Sequence, residues 1–231
     1  MKLLWQQIAS TVITEILCNS KFDGVVLDTE HGCFNDETLY SCIQVATLSK
    51  KLCFVRLPYI DKKMIRMCLD ANVTGLIFST VETVSDVRKI ANLCEYPKYA
   101  GLRGQGLVRE NMWGDGVLGV KRPIIIAQIE TTKAILNFYR MIKEKLFNFY
   151  MIGMYDLSAS LGTPGDFGSQ KFKDSIKYIE KCIPKTKIGI HLVNNVKQQI
   201  ELYKNYGFLA FGMDTTLLIN SVKDLETIKY K

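Results

Sequence analysis

The 231-residue sequence contains only 2 histidines and only 5 prolines, and none of its 7 cysteines (18, 33, 42, 53, 68, 94 and 182) forms a Cys-x-x-Cys pair. An odd cysteine total, spread mostly through apolar periodic segments, argues against a disulfide-stapled scaffold. It reads instead as reduced thiols in a cytosolic protein. Stretches rich in proline, glycine or serine that would mark a linker are missing, as are internal repeats and low-complexity tracts, so one domain is expected over 1–231. No apolar run approaches the ~18 residues that a membrane span needs, and the opening MKLLWQQIAS is too brief for a signal peptide. The formal charge of +7 is not concentrated: lysines lie among acids, with short pairs such as Lys50-Lys51 and Lys121-Arg122. That pattern describes a solvated surface rather than a nucleic-acid footprint.

What the chain does have is rhythm. Short runs rich in Val and Ile alternate with longer amphipathic segments, and 48% of residues are apolar against 23% charged. Strands are expected at Leu3–Gln7, Gly24–Asp28, Leu52–Arg56, Gly75–Ser79, Ile124–Ile129, Phe149–Ile152, Ile188–His191 and Leu209–Met213. Helical spacing follows each of them, with Asp61 and Asn194 as caps. Eight strand-helix units predict a (β/α)8 TIM barrel, with an open doubly wound sheet as the next-best arrangement. A glycine-rich stretch at 97–123 is expected to lie as a long loop over one mouth. Its GLRGQG is not a dinucleotide fingerprint, because no strand directly precedes it.

In a barrel of this kind the chemistry sits where strands end. The second strand runs into Asp28-Thr29-Glu30-His31, the third into Arg56, the fifth into Gln128-Ile129-Glu130, the sixth into Gly153-Met154-Tyr155-Asp156 and the seventh into His191. Glu130 and Asp156 suit a hard divalent cation, or else cap the segments that follow them. Arg56 invites an anionic substrate, or pairs with Asp28 or Glu30. Asp70 lies late in a helix, where an acid opposes the helix dipole and calls for a partner. His191, alone at its strand end, reads first as structural.

FDGVVLDTEHG (22–32), FVRLPYIDKKMIRMCLDANVTGLI (54–77), IAQIET (126–131), YDLSASLGTPG (155–165) and GFLAFGMD (207–214) together resemble the HpcH/HpaI aldolase family of metal-dependent class II pyruvate aldolases. The resemblance implies cleavage or formation of a 4-hydroxy-2-oxo acid from pyruvate and an aldehyde through a metal-stabilised enolate. Other outcomes of the same chemistry are decarboxylation or hydrolysis of an oxaloacetate-like acid, or lysis of an acyl-CoA; the non-catalytic alternative is a barrel that only binds a keto acid or a polyanion. It further implies that Glu130 and Asp156 hold Mg2+ or Mn2+, with Co2+ an alternative, and that His31 paired with Asp70 moves the proton. Arg56 would lie beside the keto oxygen, Gln128 would line the site, and Asp28 and Glu30 would hold the histidine and metal-bound waters. Backbone amides from Gly153 through Tyr155 to Asp156 would take the substrate carboxylate. Met154 and Tyr155 depart from the residues common at their positions. His31→Ala and Arg56→Ala are expected to keep the fold and lose cleavage. Relatives form trimers or hexamers, so a homo-oligomer that exchanges residues 214–231 between subunits is expected.

Overall fold

A computed structural model describes residues 1–193 and 196–228. The expected cap Asn194 lies outside them. The strands β1 (Lys2–Gln6), β2 (Gly24–Asp28), β3 (Leu52–Leu57), β4 (Gly75–Phe78), β5 (Ile124–Ile129), β6 (Phe149–Ile152), β7 (Ile188–Leu192) and β8 (Phe208–Phe211) pair in chain order, all parallel. β8 also pairs with β1, so the sheet is a closed barrel and not the open doubly wound alternative. Helices α1 (Thr11–Cys18), α2 (Asp36–Leu48), α3 (Lys62–Asp70), α4 (Val84–Cys94), α5 (Thr132–Lys143), α6 (Met154–Ser160), α7 (Gln170–Cys182), α8 (Val196–Tyr203) and α9 (Asp214–Glu226) surround it.

The two-residue period of each strand divides the apolar residues between two cores. Leu3, Trp5, Val26, Phe54, Ile77, Ile126, Met151 and Phe208 fill the barrel, while Val25, Leu27, Val55 and Ile125 pack outward against the helices. Gly189 leaves the space that Phe208 occupies, since a Cβ there would stand 2.0 Å from its ring. Continuing the same inward face by two residues takes the chain from Val26 to Asp28, from Phe54 to Arg56, from Ile77 to Ser79 and from Ile126 to Gln128. It also leads from Met151 to Gly153 and from Gly189 to His191. The barrel is therefore apolar through its middle and polar at its C-terminal mouth, and one strand period produces both.

Local signals start the helices where expected. Asp61 accepts from Met64 N at 2.6 Å, and Thr83 with Asp86 forms a reciprocal capping box on α4. Across the seam, Asp214 accepts from the amides of Gln7 and Ile8, each at 2.9 Å, and ties the end of β8 to the end of β1. α9 is loosely held: Asp214 is its buried residue, whereas Leu217, Leu218, Ile219, Val222 and Leu225 are exposed. Among the described residues no helix is long and apolar enough to cross a membrane.

The glycine-rich stretch does lie over a mouth of the barrel, but the N-terminal one. It leaves the end of α4 and returns to the start of β5, both of which face away from the strand ends that carry the polar layer. Its own side chains tie it down. Arg103 is buried, donates to Asp70 (2.9 Å) and to Glu110, and lies 4.3 Å above the Tyr96 ring, whose hydroxyl donates to Glu110 at 2.7 Å.

Candidate active site at the C-terminal mouth

Parallel register sets Asp28 beside Arg56. The guanidinium forks onto the carboxylate, with Nε to Oδ1 at 2.8 Å and Nη2 to Oδ2 at 2.6 Å, and its Nη1 reaches Glu30 Oε2 at 2.8 Å. Trp5 Nε1 donates to Asp28 at 3.0 Å, Ser79 Oγ donates to Glu30 at 2.7 Å, and the Trp5 ring lies 4.9 Å from the guanidinium carbon. Burial alone would push the Asp28 pKa up; the hydrogen bonds and charge of Arg56 outweigh it and hold the carboxyl below its ordinary value. Both partners expected for Arg56 are thus present at once. Three of its five N–H groups are used, which leaves two for a ligand in the cavity it lines.

Glu130 is built differently. It is 3% exposed, and its partners are the amide and hydroxyl of Thr80 (2.5 and 2.7 Å, both to Oε1) and the Gln128 amide. None of them carries positive charge. Burial therefore wins, aided by the nearby Glu30, and the Glu130 carboxyl is raised above its ordinary pKa despite the hydrogen bonds from Gln128 and Thr80. Thr80 reaches this carboxylate twice because it adopts φ of 52°, a left-handed conformation costly for a β-branched residue. The cap of α5 is Thr131, which accepts from Ala134 N, so Glu130 is not committed to that task.

Gly153 completes the recess. A Cβ there would stand 2.6 Å from Glu130 Oε2 and 3.1 Å from Gln128 Nε2, so only glycine lets the carboxylate in. It is also the N-cap of α6, an element the sequence did not announce, and it has no side-chain cap. Asp156 stands in the first turn of α6, exposed. A small cavity of about 60 Å³ is lined by Arg56, Gln128, Gly153, Tyr155, Asp156 and His191. Tyr155 leans on Phe167, with ring centroids 5.1 Å apart. The N–H of Gly153 is spent on Ile129 O, which leaves the first-turn amides of α6 as the donors that face outward.

His191 stacks on Trp5 at 4.3 Å and its Nε2 donates to Gly212 O at 2.7 Å. Burial is the main reason its pKa is pulled down to about 4, Arg56 adds to it, and the bond to Gly212 opposes it. The ring is neutral and structural. Between pH 6.5 and about 4 the unfolded chain takes up a proton that the folded His191 refuses, so stability falls as pH drops through that window. The thermal midpoint of the protein minus that of His191→Gln, measured from pH 7 to 4, is expected to decline on acidification. A flat difference would refute the assignment.

His31 and Asp70 are not brought together within one chain. His31 follows the C-terminal end of β2, and its exposed ring is held by no described side chain, while its backbone N–H donates to Asp28 at 3.3 Å. Asp70 ends α3, a helix that runs from the C-terminal mouth down to the start of β4, so it sits at the opposite face. Its partner is Arg103. Asp28 and Glu30 likewise hold the backbone turn and Arg56 rather than the imidazole.

Trp5, Ser79 and Thr80 belong to the site and were not singled out from the sequence. The strand period gave a signal for Trp5 and Ser79, both on inward-facing positions. Nothing local marked Thr80.

The donor set fits a divalent cation. Asp28 and Glu30 engage the one guanidinium, while Glu130 and Asp156 have no ion-pair partner among the described residues. Glu130 is buried without a counter-charge, and Gln128 Oε1 is buried with no hydrogen-bond partner. Among the described residues no group of three or more His, Cys, Asp or Glu side chains could hold a metal, so two carboxylates would have to be completed by water or substrate oxygens, as Mg2+ tolerates.

A family model described as HpcH/HpaI aldolase/citrate lyase matches residues 2–221. A 4-hydroxy-2-oxo-heptane-1,7-dioate aldolase of Escherichia coli is 28% identical over 232 residues, covering 96% of this chain and 87% of its own. A 4-hydroxy-2-oxovalerate aldolase of Rhodococcus jostii is 25% identical over 228 residues, covering 96% and 88%. Among solved structures, an aldolase/citrate lyase family protein from Burkholderia cenocepacia superposes with a TM-score of 0.87 at 21% identity, over 97% of this chain and 92% of its own.

Proposed function

Because the chain belongs to the HpcH/HpaI aldolase/citrate lyase family and is a lyase, we propose that it cleaves or forms a 4-hydroxy-2-oxo acid, with pyruvate and an aldehyde as the other partners. The observation that carries the reading is the excess of carboxylate at the C-terminal mouth, where Glu130 is buried with no cation beside it. A keto acid is itself an anion, and a mouth with four carboxylates and one guanidinium repels it. A divalent cation, Mg2+ or Mn2+, held by Glu130 and Asp156, would cancel most of that excess, put positive charge where the keto acid binds, and polarise a bound carbonyl when present.

The remaining work falls to the chain's own groups. In retro-aldol cleavage a base removes the proton of the 4-hydroxyl, the carbon–carbon bond breaks, and its electron pair moves toward the keto oxygen of the departing pyruvate enolate. The two uncommitted N–H groups of Arg56 are placed to donate to that oxygen, and Asp28 and Glu30 keep the guanidinium from turning away. His31, exposed at the rim, is the group that takes and returns the proton. The first-turn amides of α6 and the side chains of Gln128 and Tyr155 orient the carboxylate end.

A homo-oligomer completes this reading. The exposed apolar side of α9 fits a helix that docks on another copy. Asp70 keeps Oδ2 without a partner among the described residues and its side chain 24% exposed, so a neighbour's α3 flank can supply the acid that His31 lacks in its own chain. Mixing His31→Ala with Asp70→Asn, each inactive alone, is expected to restore part of the activity, and light scattering to give a mass above one chain. A fully active monomer would remove this part of the proposal.

The test of the function is pyruvate release from a panel of 4-hydroxy-2-oxo acids and from oxaloacetate, before and after EDTA. Cleavage of at least one aldol, lost in EDTA and regained with Mn2+, is expected. Undiminished turnover in EDTA would overturn the metal reading, and a preference for oxaloacetate over every aldol would overturn the reaction.

A further inference from the structure

A cavity of about 590 Å³ lies at the opposite end of the barrel from the residues just described. Its walls come from the turn between α2 and β3, the turn between α3 and β4, and the returning end of the 97–123 stretch. They bring Lys50, Lys51, Lys121, Arg103, Arg122 and Glu110 to one space.

The charges there do not cancel. Arg122 is matched by Glu95, at 2.6 and 2.9 Å, and Arg103 by both Asp70 and Glu110. Lys51 donates only to the carbonyls of Ser20 and Phe22, and Lys50 and Lys121 have no partner among the described residues. The C-termini of α2 and α3 face this side and contribute about half a negative charge each. Arg109, which donates to Ala71 O at 2.9 Å and Thr47 Oγ1 at 2.7 Å and has no carboxylate partner, offsets the end of α3. Four unmatched cations then stand against one surplus carboxylate and roughly one unit of helix dipole. The remainder is close to the charge of a phosphate dianion. Arg103 also contributes to the wall, but it is 5% exposed, its Nε is closed off from the open space and its guanidinium is held by Asp70 and Glu110, so the charge a ligand can reach is that of the lysines.

We propose that this N-terminal cavity is a binding site for a phosphoryl group, held by Lys50, Lys51 and Lys121, with room beside it for the body of a small phosphate ester. The proposal does not depend on the reaction assigned to the other mouth.

Calorimetric titration of EDTA-treated protein with inorganic phosphate and, separately, with ribose 5-phosphate tests it. Metal removal keeps the C-terminal mouth anionic and unreceptive. Saturable binding of at least one probe is expected, at constant ionic strength set with NaCl, and the tighter of the two identifies free phosphate or an ester as the fitting form. Lys50 and Lys121 are exposed, so the double variant Lys50→Glu, Lys121→Glu leaves the fold intact, and it is expected to weaken binding about tenfold or more. Arg56→Lys should bind as the parent does. Absence of saturable binding, or binding unchanged in the double lysine variant, would overturn the proposal.

Discussion

Glu130→Gln is expected to lower turnover by a factor on the order of 10³ while leaving the thermal midpoint of the metal-free protein unchanged or higher. The two effects have one cause. Glu130 is a buried carboxylate with polar but uncharged partners, and its pKa is raised because burial outweighs the bonds from Gln128 and Thr80. In the metal-free fold burial makes its charge a liability, and the isosteric amide removes that liability. The same sign governs pH: a carboxyl raised by folding favours the protonated state, so its destabilising contribution grows as pH rises through the folded-state value. A cation that needs the ionised form converts the liability into binding energy. Mn2+ affinity by calorimetry and thermal melts of both proteins in EDTA check the pair of outcomes. Lost activity with a midpoint several degrees lower would mean that Glu130 is a structural acid, and the metal reading would fall with it.

How much of this could be read from the sequence follows from the range of each interaction. The barrel was legible because strand and helix periods are local, and because Val-rich and Ile-rich runs end in charge at one consistent phase. Asp28, Arg56, Gln128 and Gly153 were found for that reason, each two residues beyond a barrel-filling residue, and Glu130 lies four beyond Ile126 on the same phase. Pairing across the sheet is not local. That Arg56 engages Asp28 and Glu30 together required the register of β2 on β3, and that Thr80 bends into a left-handed conformation to meet Glu130 required β4 beside β5. The knot of Arg103, Glu110, Tyr96 and Asp70 ties segments 33 residues apart in sequence and has no periodic signature. The distance between Asp70 and His31 had a signal that element order alone supplies: a helix after a parallel strand carries its last residues back to the strands' starting face. An acid at the end of α3 cannot face a base at the end of β2 in one copy of the chain.

The geometry also revises the expectation that Arg56→Ala keeps the fold. Arg56 is the counter-charge of Asp28, which is fully buried, and it is one of two partners of Glu30. Truncating it leaves a carboxylate in the barrel with only Trp5, Gln7 and backbone amides to satisfy it. Breaking a buried pair from one side costs about 3–5 kcal/mol. Asp28→Ala should cost a similar amount, since it strands the guanidinium and the Trp5 N–H. The double variant should lose less than the two single losses added together, because each has already surrendered the shared interaction. Urea unfolding of the four proteins measures the coupling. Arg56→Lys, which keeps the charge but not the fork, separates stability from chemistry: it should retain most of the folding energy and lose most of the turnover, because a lysine that satisfies Asp28 has no second arm for the substrate. Additive losses in the cycle would show that the pair is not coupled, and the rigid guanidinium on which the proposed oxygen contact depends would have no structural basis.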